Sequence, residues 1–196
     1  KRQAWGANEA TKVLIYVGRL AAEKNLTTIF DAYHSAKRIE PNTKLVLVGD
    51  GPLRDELMAE HPEVIFPGFQ KGRELAEHYA SGDIFLFASQ TETFGNVTLE
   101  SMASGLAVVA YPLAAAAELI QSGHNGMLAM DQGGLYFEMA VQALMNQPML
   151  VEKIKLNAAN VGENYSWESI LNQTESSFID IIEDHKVRLI NPVDIK

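Results

Sequence analysis

Six short apolar runs punctuate the first two thirds of the chain: VLIYV (13–17), KLVLV (44–48), EVIF (63–66), DIFLF (83–87), AVVAY (107–111) and GMLAM (126–130). Each is continuous rather than alternating and rich in β-branched and aromatic side chains, the pattern of strands covered on both faces. The intervals between them have helical spacing. Leu26, Ile29, Phe30, Tyr33 and Ala36 fall on one helical face, with Asn25 in front as a candidate N-cap. Pro52 suits the first turn of the next helix, and GRELAEHYASG and NVTLESMASG both close on glycine, as helix C-termini often do. Strand and helix alternating through short loops predict an α/β fold, a doubly wound parallel sheet. After residue 130 the strand pattern stops. Three helical stretches follow, at about 133–147, 149–164 and 167–188, with a break at NYSW.

In such sheets ligands bind outside the carboxyl ends of the strands, where loops enter helices. The loops to inspect are 18–25, 49–52, 67–71, 88–96 and 112–117. The first carries Gly18, Arg19 and Lys24, a fork of donors and a point charge suited to a diphosphate. The fourth opens TETFGNVTLE, in which Glu92 and Glu100 bracket Phe94, Gly95, Asn96 and Val97. Gly95 and Asn96 begin a helix whose free N–H groups and dipole attract anions. A carboxylate accepts hydrogen bonds in pairs and so reads vicinal hydroxyls. One acid before the helix and one a turn inside it reach different depths of a pocket, fit for two different diols. Taken one at a time, Arg19 and Lys24 read as solvated charges, Glu92 and Glu100 as surface acids, and GDGP as a turn. The dinucleotide fingerprint fails, because GDGPLR puts Arg54 where its third glycine belongs. The Walker loop fails too, because Lys24 follows Glu23.

Composition adds boundaries. The 196 residues fit one ordinary domain, and a net charge of −9 argues against a nucleic-acid partner, which needs a basic face. The chain has no cysteine, hence no disulfide framework or thiolate metal site. Five histidines, at 34, 61, 78, 124 and 185, show no metal-ligand spacing, so no metal is expected. No apolar segment approaches a membrane span and no leader is evident, which makes the expected compartment cytoplasmic. KRQAWGANEATK begins without Met and reads as a cut edge, so a fragment is expected.

Glu-x7-Glu with Phe-Gly between, followed by LESMASG, closely resembles the signature of the family-four retaining glycosyltransferases of the GT-B fold. VGRLAAEKNL, LVLVGDGPLRDEL, FPGF and SGHNGMLA match the same family in the same order, so that the resemblance covers residues 12–168. YPLAAAAELI departs from the commoner pattern, which has a Gly-Gly pair near 114–117. It looks more like the branch of GDP-mannose-dependent α-mannosyltransferases, where an Ala run appears.

The resemblance implies a Rossmann-like sheet forming the C-terminal half of a GT-B fold, with C-terminal helices. Residues 1–11 would be an interdomain linker stub, 12–165 the nucleotide-sugar-binding domain, and 166–196 a helix returning toward an absent N-terminal half. It also implies roles. Arg19 and Lys24 would hold the donor diphosphate beside Gly18, and Glu92 would bind hydroxyls of the transferred sugar. The backbone of Phe94, Gly95, Asn96 and Val97 would meet sugar and phosphate, Glu100 the ribose diol, and the backbone near Phe69 and Gln70 the base. The substrate would be a GDP-sugar or UDP-sugar, with no cofactor, and transfer would proceed with retention and without a metal, which fits the lack of an Asp-x-Asp motif. The partner would be the acceptor-binding N-terminal domain of the same protein, with a peripheral membrane acceptor open to the full-length enzyme. The alternatives from other classes are a nucleotide-sugar 2-epimerase-like isomerase domain and a non-catalytic nucleotide-binding module.

Overall fold

Six strands, β1 (Val13–Val17), β2 (Lys44–Val48), β3 (Ile65–Gly68), β4 (Ile84–Phe87), β5 (Ala107–Ala110) and β6 (Met127–Leu128), form one sheet in the order β3-β2-β1-β4-β5-β6. Every pairing is parallel. The structure is a computed structural model and describes residues 1–130, 133–165, 175, 176, 178 and 179. Lys1–Gly162 make one compact unit and Glu163–Lys196 a second. Of the second, the described residues include 175, 176, 178 and 179 in helical conformation, and the helix expected at 167–188, with Trp167, otherwise lies outside the described residues.

The helices are α1 (Leu26–Ile39), α2 (Arg54–Glu60), α3 (Gly72–Tyr79), α4 (Asn96–Ala103), α5 (Ala114–Leu119), α6 (Leu135–Asn146) and α7 (Pro148–Asn164). All five residues of β1 are buried, as are all four of β4 and of β5, which is why these runs could not alternate. The predicted face of α1 is the buried one: Leu26, Ile29, Phe30, Tyr33 and Ala36 all enter the core.

Three local expectations need correction. Asn25 sits at the N-cap position of α1, but its backbone is left-handed (φ 51°) and its side chain makes no capping bond. It ends the 3-10 turn Ala22–Lys24 instead, a conformation asparagine tolerates better than most residues. Pro52 precedes α2 rather than opening it, because Arg54 N–H donates to Gly51 C=O at 3.1 Å and makes Pro52 part of a closed turn. β3 starts two residues late, since Val64 N–H donates to His61 C=O and draws 61–64 into a turn. The strand then runs through Pro67, which an edge strand accommodates.

Residues 1–11 are tied to the compact unit. Arg2 donates to the carbonyls of Ser81, Asn8 and Thr11 and to Asp83 Oδ2 at 3.0 Å, while Trp5 is buried. Asp83 in turn accepts from Val13 N–H at 2.8 Å, fixing the start of β1. Among the described residues no helix is long and apolar enough to cross a membrane.

Candidate functional site

The strand order reverses direction between β1 and β4, and the loops that leave these two strands diverge at the sheet's carboxyl edge. That is the switch point at which an open α/β sheet offers a crevice. Two cavities adjoin there. One, of about 470 Å³, is lined by Val17, Gly18, Arg19, Val48, Gly49, Asp50, Phe69, Gln70, Leu75, Val97 and Glu100. The other, of about 640 Å³, is lined by residues 17–19, Glu23, Lys24, Phe87 and the segment 92–97. They share Val17, Gly18, Arg19 and Val97. All eleven residues singled out in the sequence therefore line this double cleft. Glu100 and Glu92 lie in different halves of it, with the Gly18–Arg19 backbone at the junction.

The local sequence explains how these loops come so close. A Cβ on Gly49 would lie 1.8 Å from Gly18 C=O, so any side chain there would drive the first two loops apart. They are further stitched by Leu20 N–H to Asp50 C=O (2.9 Å) and Leu53 N–H to Leu20 C=O (3.1 Å). The GDGP motif is thus more than a turn: it is the surface on which the Arg19 loop rests. Gly95 has φ 82° and ends the acidic loop so that α4 can start pointing into the cleft. Thr98 N–H closes on Gly95 C=O at 2.9 Å, and the N–H groups of Asn96 and Val97 have no carbonyl one turn back within the helix. The fifth loop, 112–117, supplies no lining residue. It buttresses the fourth, with Ala115 N–H donating to Phe94 C=O at 2.8 Å.

Both cations of the cleft are paired. Lys24 Nζ meets Glu92 Oε1 at 2.5 Å, both side chains largely enclosed. Arg19, whose side chain is 66% exposed, lies 3.6 Å from Glu23. Gln70 donates to Pro67 C=O at 2.9 Å and so folds its own loop back beside the exposed Phe69 ring.

Two tyrosines that the sequence did not single out hold this framework. Tyr79 donates to Glu100 Oε2 at 2.9 Å from α3, and Tyr16 donates to Arg19 C=O at 2.9 Å from β1. Burial, with the nearby Glu100 charge, pushes the Tyr79 hydroxyl far above its ordinary range. Burial, with the charges of Glu92 and Glu23, does the same to Tyr16. Both therefore remain neutral donors at any physiological pH. Each lies in an apolar run or face that reads as core, so only its partner reveals its role.

The histidines divide. His78 is buried against Trp5, with Nδ1 2.7 Å from Glu74 C=O, and His124 accepts an Asn157 amide bond at its carbonyl. His34 and His61 converge on Glu63, a grouping that no local spacing reveals. His185 lies outside the described residues.

The switch point of this doubly wound α/β domain thus gathers two cations, the N–H groups at the start of α4 and two separated carboxylates along one cleft. The chain belongs to the group 1 glycosyl transferases: the family's model matches residues 11–147. It is 30% identical over 191 residues to the sulfoquinovosyl transferase of Arabidopsis thaliana, covering 93% of this chain and 37% of that protein. It is 36% identical over 127 residues to a GDP-mannose-dependent alpha-mannosyltransferase of Mycobacterium tuberculosis, covering 65% of this chain and 32% of that one. Among solved structures it superposes on Anabaena HepE, determined in complex with UDP and glucose, with a TM-score of 0.75 and 25% identity, covering 91% of this chain and 50% of that one. The chain thus spans half or less of the length of these relatives, and its sheet is the Rossmann-like C-terminal half of a GT-B fold. An isomerase reading gains no support from these similarities.

Proposed function

We propose that this domain binds the donor of a hexosyltransferase, a GDP- or UDP-linked sugar, and that a facing N-terminal half of the same protein holds the acceptor. The observation that carries the proposal is the division of the cleft: Glu100 lines one cavity, Glu92 the other, and Arg19 lines both. In this reading the nucleoside occupies the smaller cavity, its ribose diol on Glu100 and its base near Phe69 and Gln70. The diphosphate crosses the junction, and the sugar hydroxyls reach Glu92 and the backbone at the start of α4.

The chemistry follows from charge. As the acceptor's nucleophilic atom bonds to the anomeric carbon, the bond from that carbon to the β-phosphate oxygen breaks, leaving its electron pair on the diphosphate, which takes up the acceptor's proton. Arg19, Lys24 and the N–H groups at the start of α4 stabilise that charge, and they are in place before it develops. The Lys24–Glu92 pair places the ammonium against the carboxylate assigned to the sugar, so one cation can serve both ends of the breaking bond. The family resemblance adds retention of configuration and no metal at the diphosphate.

The test uses the domain joined to its native N-terminal half. Replacing Glu92 with Ala or Gln should lower sugar transfer by roughly 10- to 100-fold, the worth of one charged hydrogen-bond set. Binding of GDP or UDP should stay nearly intact, because Glu92 is assigned to the sugar. Loss of nucleotide binding in both variants would overturn the assignment, as would robust transfer by the 196-residue chain alone.

A further inference from the structure

Away from the cleft, one residue of α1 meets two from the turn between α2 and β3. His34 lies on α1, His61 follows the last residue of α2, and Glu63 lies in the turn before β3. His34 Nε2 is 3.8 Å from Glu63 Oε1, and His61 Nδ1 is 3.9 Å from the same oxygen. The three donor atoms all fall within 4.8 Å of one another. We propose that His34, His61 and Glu63 form a binding site for a divalent transition-metal ion of the zinc class, which ties α1 to the turn between α2 and β3.

The donor set decides the ion. Two imidazole nitrogens and one carboxylate oxygen suit zinc and its neighbours and not magnesium or calcium, which take oxygen ligands. Zinc bonds of about 2.0–2.2 Å in tetrahedral geometry place ligand atoms about 3.4 Å apart. The two nitrogen–oxygen separations exceed this by roughly half an ångström, and the two nitrogens, which lie within 4.8 Å of each other, draw together by rotation of the exposed His34 side chain. The His61 ring is already fixed in plane, stacked on Phe30 with centroids 3.8 Å apart and planes 13° apart. That stacking limits the rotamer freedom that ordering a ligand normally costs.

The fourth position has space. A cavity of about 410 Å³ is lined by both histidines together with Phe30, Asp31, Leu57 and Glu60 among others, and Glu56 also lines it. A water can complete the ion's shell from there, and the acidic rim raises the local cation concentration. The same cavity reaches Ala22 and Asn25, at the turn from which α1 departs. An ion here would therefore stiffen the helix that follows Lys24 without touching the donor cleft. The proposal does not depend on the sugar-donor reading.

Untagged 196-residue protein, stripped with a chelator, should be titrated calorimetrically with Zn²⁺ and, separately, followed by visible absorption with Co²⁺. One Zn²⁺ per chain is expected, together with the d–d bands of four-coordinate Co²⁺ and no heat with Mg²⁺. His34→Gln and His61→Phe should each weaken Zn²⁺ by at least about 10-fold, since even an outer-shell partner is worth 10- to 100-fold. His61→Phe keeps an aromatic ring against Phe30, and an unchanged urea midpoint in that variant separates loss of the ligand from loss of the fold. Absence of both Zn²⁺ heat and Co²⁺ bands, or unchanged Zn²⁺ affinity when His34→Gln and His61→Phe are combined, would overturn the proposal.

Discussion

Glu92 and Glu100 sit on one short segment yet are held by different means. Glu92 is paired with Lys24 across the cleft, whereas Glu100 is anchored from behind by a buried phenol. Tyr79→Phe removes that anchor without altering shape. It should weaken binding of a nucleoside to the protein by roughly 3- to 10-fold, the worth of one such bond, while leaving inorganic pyrophosphate binding unchanged; calorimetry with both ligands checks it. An equal loss for the two would mean that Glu100 does not face the nucleoside. A second residue-scale feature is Ala114, whose φ of 47° lies in the left-handed region. The commoner family pattern has glycine nearby. Left-handed backbone costs an L-residue about 1–2 kcal/mol, offset in part by glycine's greater freedom in the unfolded chain. Ala114→Gly should therefore stabilise the fold by roughly 0.5–1 kcal/mol in urea melts, and a destabilised variant would show that the local packing relieves the strain.

At the scale of elements, Asp83 joins three strands' starts. Its side chain accepts from Val13 N–H and Arg2, its N–H donates to Val13 C=O, and its C=O accepts from Ala107 N–H. Asp83→Ala would strand the buried Val13 N–H and remove the carboxylate from Arg2, which keeps its three carbonyl partners, and should cost about 2–4 kcal/mol. A shift in the urea midpoint measures this, and a loss under 1 kcal/mol would show that the backbone bonds alone suffice. Elements of this kind were mostly legible in the sequence, because a strand covered on both faces must be apolar throughout, as VLIYV and DIFLF are. The edges were less so. β3 shifted because the hydrogen bond from Val64 to His61 is a matter of turn geometry, and β6 shortened because only Val109 and Ala110 pair with it. The Asp83 network was hidden for another reason: Arg2 and Asp83 are brought together only by the fold.

For the molecule as a whole, the strand order places the Arg19 and Glu92 loops on either side of the switch point; βα alternation predicts the doubly wound sheet but not which strands flank that point. What alternation does not convey is how the charges pair once there. Arg19 and Lys24, neighbours in sequence, face different carboxylates, Glu23 and Glu92. The central claim is that these cations meet the diphosphate of a nucleotide donor. Calorimetric titration of the 196-residue protein with GDP and UDP, beside guanosine and uridine, tests it most directly when repeated on Lys24→Ala. Binding of at least one nucleoside diphosphate is expected. The substitution should weaken that binding by roughly 10- to 100-fold, or 1.5–3 kcal/mol, and leave the matching nucleoside unchanged. No binding of either diphosphate, or equal losses for diphosphate and nucleoside, would contradict it.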